Sequence, residues 1–169
     1  MSYTPEVSKL KMAIYTLHTH SGVGSYAQSG FSSTSWGKVN LFSFTTTYNP
    51  FQDTVTFNSS TDVITLPSGQ YYFNGRLMSY DPTSPYESRW SECTFYDYVA
   101  DEAVGYIGRK WQNVAYNRNP NFNEHAKAYI ESDGTRQIQF RARASHSTLE
   151  VSDYQGDNAI GRVIIHRLS

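Results

Sequence analysis

Gln137-Ile138-Gln139-Phe140-Arg141-Ala142-Arg143-Ala144 alternates polar and apolar residues without a break. Successive side chains leave a β-strand on opposite sides, so this period marks a strand with one wet face and one core face. A helix would scatter the two arginines round its circumference. Ile138 and Phe140 are accordingly expected in the core. Just upstream, Ala126, Ala128 and Ile130 alternate with His125, Lys127 and Tyr129, and Asp133-Gly134 separates the two runs. Asp-Gly favours a two-residue turn because both residues tolerate positive φ. The region Phe122 to Ala144 is therefore predicted to be a β-hairpin.

Working outward, the same signals recur along the chain and helical periodicity does not. Strands are expected at Met12 to His18, Val39 to Phe44, Thr54 to Asn58, Val63 to Leu66, Gln70 to Tyr80, Ser91 to Val99, Tyr106 to Val114 and Arg162 to Leu168. Turn residues stand between them at Pro67-Ser68-Gly69, Asp81-Pro82-Thr83-Ser84-Pro85, Asn117-Arg118-Asn119-Pro120-Asn121 and Gly156-Asp157-Asn158. Many short strands at this spacing point to an all-β sandwich or barrel. At 169 residues the chain has room for one domain with a real core. Ser21 to Gly37 differs from the rest, with four glycines, many serines and few aliphatics. Residues 1–37 are read as an N-terminal arm containing a first strand and this connection, and residues 38–169 as the body.

Fourteen Tyr, nine Phe and three Trp among many Ser, Thr and Asn residues suit pleated, half-buried surfaces joined by turns. A net charge of −1 provides no basic field for nucleic acid. No apolar run approaches the roughly 20 residues that a membrane-crossing helix needs. Cys93 is the only cysteine, so no intramolecular disulfide can form. The start of the chain lacks the layout of a signal peptide, so synthesis in a host cytoplasm is expected.

The strand after Gly69 has two faces. Tyr71, Phe73, Gly75 and Leu77 share one, and Tyr72, Asn74, Arg76 and Met78 share the other. One must fill the core. The second is too rich in large side chains for a plain solvated surface, and Tyr, Met and Arg are enriched where proteins meet.

Val63-Ile64-Thr65-Leu66-Pro67-Ser68-Gly69-Gln70-Tyr71-Tyr72-Phe73 resembles a signature of the tumour necrosis factor and complement globular-head superfamily. There a strand ends in a Pro- and Gly-bearing turn and the next opens Gly-x-Tyr-x-Phe, matched by Gly69, Tyr71 and Phe73. Tyr48-Asn49 and the closing Ile160-Gly161-Arg162-Val163-Ile164 are similar to further parts of that pattern. The resemblance spans roughly Met12 to Leu168 and implies a single-domain jelly-roll β-sandwich that forms a homotrimer without enzymatic activity. By the family's parity Tyr71, Phe73 and Leu77 would be core. Tyr72, Asn74, Arg76, Met78, His125, Lys127 and Tyr129 would meet neighbouring subunits.

Catalytic and metal patterns are weak. His18-Thr19-His20 resembles the start of a cupin metal site, but Val23 and Gly24 stand where its Glu would be and Tyr72 where a later His would be. A usable site needs three or four ligands, so no metal and no cofactor are expected. Nothing in sequence pairs a histidine with Cys93, which reads as a buried structural thiol. Asp97, Asp101 and Glu102 are close in sequence, which is not the spatial pairing that acid–base chemistry requires. No catalytic residue is assigned. Arg141 and Arg143, with Arg76 near them on one sheet, could hold a shared anion, or pair with carboxylates across a subunit contact.

Three functions fit these features. One is a trimeric virion surface protein that decorates or cements the outside of a phage head, with the major capsid protein or another virion protein as partner. The second is a receptor- or carbohydrate-binding head of a tail fibre or spike, with Trp36, Trp90 or Trp111 as stacking platforms for a host surface glycan. The third, a signalling ligand, would need a leader or anchor, and a fibre head would need a stalk; neither precedes this domain, so the virion surface is the expected location.

Overall fold

The computed structural model describes residues 12–18, 25–29, 31–79, 89–112, 121–122, 125–145, 148–152 and 161–169. Its strands are β1 (Ala13–His18), β2 (Ser25–Ser29), β3 (Gly37–Lys38), β4 (Phe42–Tyr48), β5 (Thr56–Asn58), β6 (Val63–Leu66), β7 (Gly69–Arg76) and β8 (Met78–Ser79). They continue as β9 (Arg89–Asp97), β10 (Glu102–Gln112), β11 (Asn121–Phe122), β12 (Ala126–Ser132), β13 (Arg136–Ala144), β14 (Thr148–Ser152) and β15 (Arg162–Arg167). Hydrogen bonding runs in the order β4-β1-β15-β7-β12-β10-β9-β13-β6-β5, with β3 beside β13; β11 pairs β8, and β14 pairs β2.

This path folds into two facing sheets with β10 as the seam. β10 meets β12 through one register pair, Tyr106 with Lys127. It meets β9 from Glu102–Asp97 to Gln112–Arg89, with a register shift between Val104 and Gly108. The shift brings β10 hard against β12 at Gly105, where φ is +84° and a Cβ would lie 2.2 Å from the Lys127 carbonyl oxygen. Only glycine satisfies both demands. We call β4-β1-β15-β7-β12 the first sheet and β10-β9-β13-β6-β5, with β3, the second.

Alternation decides what lies between them. Tyr15 and Leu17 of β1, Tyr71 and Phe73 of β7, Val163 and Ile165 of β15, Phe95 of β9 and Ile138 and Phe140 of β13 are all buried, as is Leu77 just past β7. Phe95 sits at the centre, with ring centres 5.1 Å from Phe73 and 5.3 Å from Phe140. Gly75 makes room for them: a Cβ there would come within 2.8 Å of both Phe95 and Phe140. Cys93 is buried in the same core.

Phe122 to Ala144 does not form the predicted hairpin. β12 pairs with β7 and β10, whereas β13 pairs with β9, β6 and β3. The connection Asp133–Thr135 therefore crosses between sheets as an arch. The cause is local. A type I′ turn needs positive φ at both central residues, and of Asp133 and Gly134 only Gly134 adopts it. The Asp133 carboxylate instead accepts hydrogen bonds from the Thr135 amide (3.1 Å) and hydroxyl (2.9 Å). The Ser132 hydroxyl then donates to the Leu66 carbonyl at 3.0 Å, tying the arch to the neighbouring β6–β7 crossing.

The N-terminal reading divides. β1 lies inside the first sheet between β4 and β15, while Met1 to Lys11 fall outside the described residues. Thr19 to Gly24, including His20, also fall outside.

Candidate functional site

The first sheet has an outer face built in rows, because residues opposite each other in register point the same way. One row is His18, Arg162 and Arg76. The next is Thr16, Ile164, Asn74, Lys127 and Tyr106. The third is Ile14, His166, Tyr72 and Tyr129. Tyr72 stacks at a tilt on Tyr129 at 4.9 Å and lies 6.0 Å from His166. Tyr129 is 78% exposed. At the edge of the face, His125 Nδ1 donates to Asn74 Oδ1 at 2.6 Å.

Charge on this face is mostly positive. Burial lowers the His18 pKa, and Arg162 lowers it further. Burial likewise lowers the His125 pKa, with Arg76, Lys127 and Arg162 adding to the effect. Glu131 stands at the far end, where it accepts a hydrogen bond from Gln70 at 3.2 Å.

Of the seven residues predicted to meet other subunits, Tyr72, Asn74, Arg76, Lys127 and Tyr129 lie together here, with His125 at the margin. Met78 belongs to β8, which pairs with β11 after Leu77 interrupts the strand; its side chain is outside the described part. Arg162, Ile164 and His166 of β15, with Ile14, Thr16 and His18 of β1 and Tyr106 of β10, complete the face and were missed. For the three on β15 the signal was present, where Val163 and Ile165 turn inward between them.

The arginine reading is corrected. Arg141 and Arg143 sit on the outer face of the second sheet, far from Arg76 on the first, and their carboxylates belong to the same chain. Arg141 pairs with Asp101 at 3.1 Å and lies 3.8 Å above the Tyr96 ring. Arg143 pairs with Glu92 at 2.6 Å, and Arg109 reaches the other Glu92 oxygen at 2.9 Å. The guanidinium of Arg143 also lies 4.5 Å from the Trp36 ring centre and 5.8 Å from that of Trp90.

Two of the three carboxylates weighed for catalysis, Asp97 and Asp101, have structural partners. Burial raises the Asp97 pKa, but hydrogen bonds from the Ala100 amide, Arg136 and the Val99 amide outweigh it and leave the group below its ordinary value. Asp101 is held by Arg141. Among the described residues no three His, Cys, Asp or Glu side chains gather as a metal set.

No protein-family model matches this chain. No curated protein matches it. Solved structures do. Eiger TNF from S. frugiperda aligns with a TM-score of 0.57 at 10% identity, over 94% of each chain. Two structures of murine APRIL, at pH 8.5 and pH 8.0, align with TM-scores of 0.54 and 0.53 at 11% identity, over 94% of this chain and 100% of theirs. The fold is a TNF-like jelly roll. Within this TNF-like jelly roll the Tyr72–Tyr129 face is the outer surface of one sheet, and the Trp36–Arg143–Trp90 cluster is the outer surface of the other.

Proposed function

We propose that this chain is a non-enzymatic, homotrimeric component of a virus-particle surface that decorates the outside of a phage head. The observation that carries the assembly is the Tyr72–Tyr129 face, where stacked aromatic rings stand open on a sheet whose other side is already packed. Large aromatic and arginine side chains are the anchors that associate most strongly once desolvated. Homo-oligomers close symmetrically by self-complementary or ring-forming contacts, and jelly rolls serve as viral capsid and lectin domains. The partner in this reading is the major capsid protein or another virion protein, the location is the virion surface after synthesis in the host cytoplasm, and Met1 to Lys11 supplies the attachment. Three such segments per trimer would sum weak contacts into tight binding.

A second reading, a receptor- or carbohydrate-binding head, is favoured by one observation: Trp36 and Trp90 converge on the second sheet. The test has two steps. Light scattering at micromolar concentration should give about three times the 19.2 kDa chain mass; a clean monomer contradicts the assembly. Trimer mixed with particles lacking the protein should bind them, and deletion of Met1 to Lys11 should abolish binding. Undiminished binding removes that segment as the clamp, and binding to host cells with none to capsids favours the second reading.

A further inference from the structure

We propose that the outer face of the second sheet carries a site for acidic oligosaccharides, formed by Trp36, Trp90, Glu92, Arg109 and Arg143. It gives the carbohydrate-binding reading a place and a ligand class, and rests on that reading; it needs no trimer, since every residue comes from one chain.

The placement of the tryptophans is the first observation. The buried core among the described residues is made of Phe, Tyr, Leu, Ile, Val and Ala, with no Trp. Trp36 enters β3, whose Gly37 pairs with Ala142, which sets the indole beside Arg143. Trp90 lies on β9, and Trp111 is its direct register partner on β10. Trp36 and Trp90 thus come from distant sequence to one sheet surface, each within reach of the Arg143 guanidinium. Large rings held half-buried on an outer face suit stacking against the apolar face of a sugar ring, with a polar edge left for hydrogen bonds.

The second observation concerns donors. Glu92 is nearly buried and spends both oxygens on the two arginines, taking Arg143 Nε at Oε2 and Arg109 Nε at Oε1. Each guanidinium is therefore held by its inner nitrogen. The terminal Nη donors of Arg109 and Arg143 have no partner among the described residues, and the Arg109 side chain is 57% exposed. Two cations around one carboxylate leave a local positive excess. A fixed guanidinium fork matches the two oxygens of a carboxylate. A sugar ring bearing a carboxylate, such as a uronic or sialic acid, would satisfy ring and fork together.

This surface lies opposite the proposed assembly face, so a trimer would display three copies. Isothermal titration of the intact protein decides the matter, using tri-galacturonic acid, a hyaluronan tetrasaccharide and 3′-sialyllactose as acidic probes, maltotriose as the neutral probe and penta-glutamate as a peptide anion. At least one acidic saccharide should bind and maltotriose should not. Arg109→Gln and Trp36→Ala should each weaken binding about tenfold or more, the loss expected when a charged hydrogen bond or a stacked ring is removed. Mass and melting temperature should stay near those of the parent. Arg109→Gln alone keeps the test sound if Trp36→Ala unfolds. No saccharide binding at millimolar concentration overturns the site. So does equal binding of maltotriose, or penta-glutamate bound as tightly as the saccharides, which would mark a plain anion patch suited to a protein partner. None of these outcomes bears on the oligomeric mass.

Discussion

Tyr71 and Tyr72 are adjacent in the chain and lie on opposite faces of β7. Tyr71 is buried, its hydroxyl donates to the Pro67 carbonyl at 2.9 Å, and burial pushes its pKa up to about 12. Tyr72 faces outward against Tyr129. Tyr71→Glu should unfold the domain, because an unpaired buried carboxylate costs several kcal/mol, a large share of a typical domain's stability. Tyr72→Glu should leave the monomer folded and break the trimer. Circular dichroism and light scattering on both variants separate the two effects, and two folded trimers would show that the faces are assigned wrongly. Gly75 tests the core from another side. Gly75→Ala places a methyl group against Phe95 and Phe140, and overpacking of this kind costs about 1–3 kcal/mol. A fall in melting temperature of about 3–10 °C is expected for a chain this long; an unchanged value would mean that the two rings retreat freely.

At the level of the strand, alternation in sequence showed which side chains turn inward on β7, β12 and β13. It could not show which sheet each strand joins. Ala126-x-Ala128-x-Ile130 and Ile138-x-Phe140-x-Ala142 have the same period whether their strands pair or face each other, so the arch was indistinguishable from a hairpin. The break at Leu77 was hidden for the same reason, since inward and outward positions continue through it. Half of the candidate face was legible, because it lies on β7 and beside β12. The part from β15 depended on register with a strand about ninety residues away, which no local pattern encodes. The Glu92 bridge between Arg109 and Arg143 likewise exists only through cross-strand register. The arch makes its own prediction. Ser132→Ala removes the hydroxyl that donates to Leu66 and accepts from Gly134 at 3.1 Å. An orphaned buried carbonyl costs about 1–3 kcal/mol, so urea unfolding should show a lower midpoint with an unchanged slope. If the midpoint holds, the link between the two crossings contributes nothing to stability.

For the whole molecule, the face chosen for assembly also sets a response to acid. His18 faces Arg162, and His125 lies near Arg76, Lys127 and Arg162. Burial is the larger cause for each histidine, and both folded pKa values are lowered. The unfolded chain therefore binds protons more readily than the folded one below the ordinary histidine value of about 6.5. Stability contributed by these groups is complete above that value and is lost as pH falls through the lowered folded values. Asp97 and Asp133 are also lowered, Asp133 chiefly by its hydrogen bond from Thr135. Their contribution is complete above about pH 4 and is lost only below it, so the loss from the histidines begins at higher pH than the loss from the aspartates. Closing a second subunit over the face would desolvate the histidines further and add the partner's cations, making the assembled state the more acid-sensitive one. The expected outcome is a urea midpoint that is flat from pH 8 to pH 7 and declines toward pH 5, with trimer mass lost over the same interval. His125→Asn keeps a polar group beside Asn74 but cannot titrate, and should flatten that decline without changing the loss near pH 4. A wild-type midpoint and mass that stay constant down to pH 5 would mean that neither histidine is held below its ordinary value, and that this face is not where subunits meet.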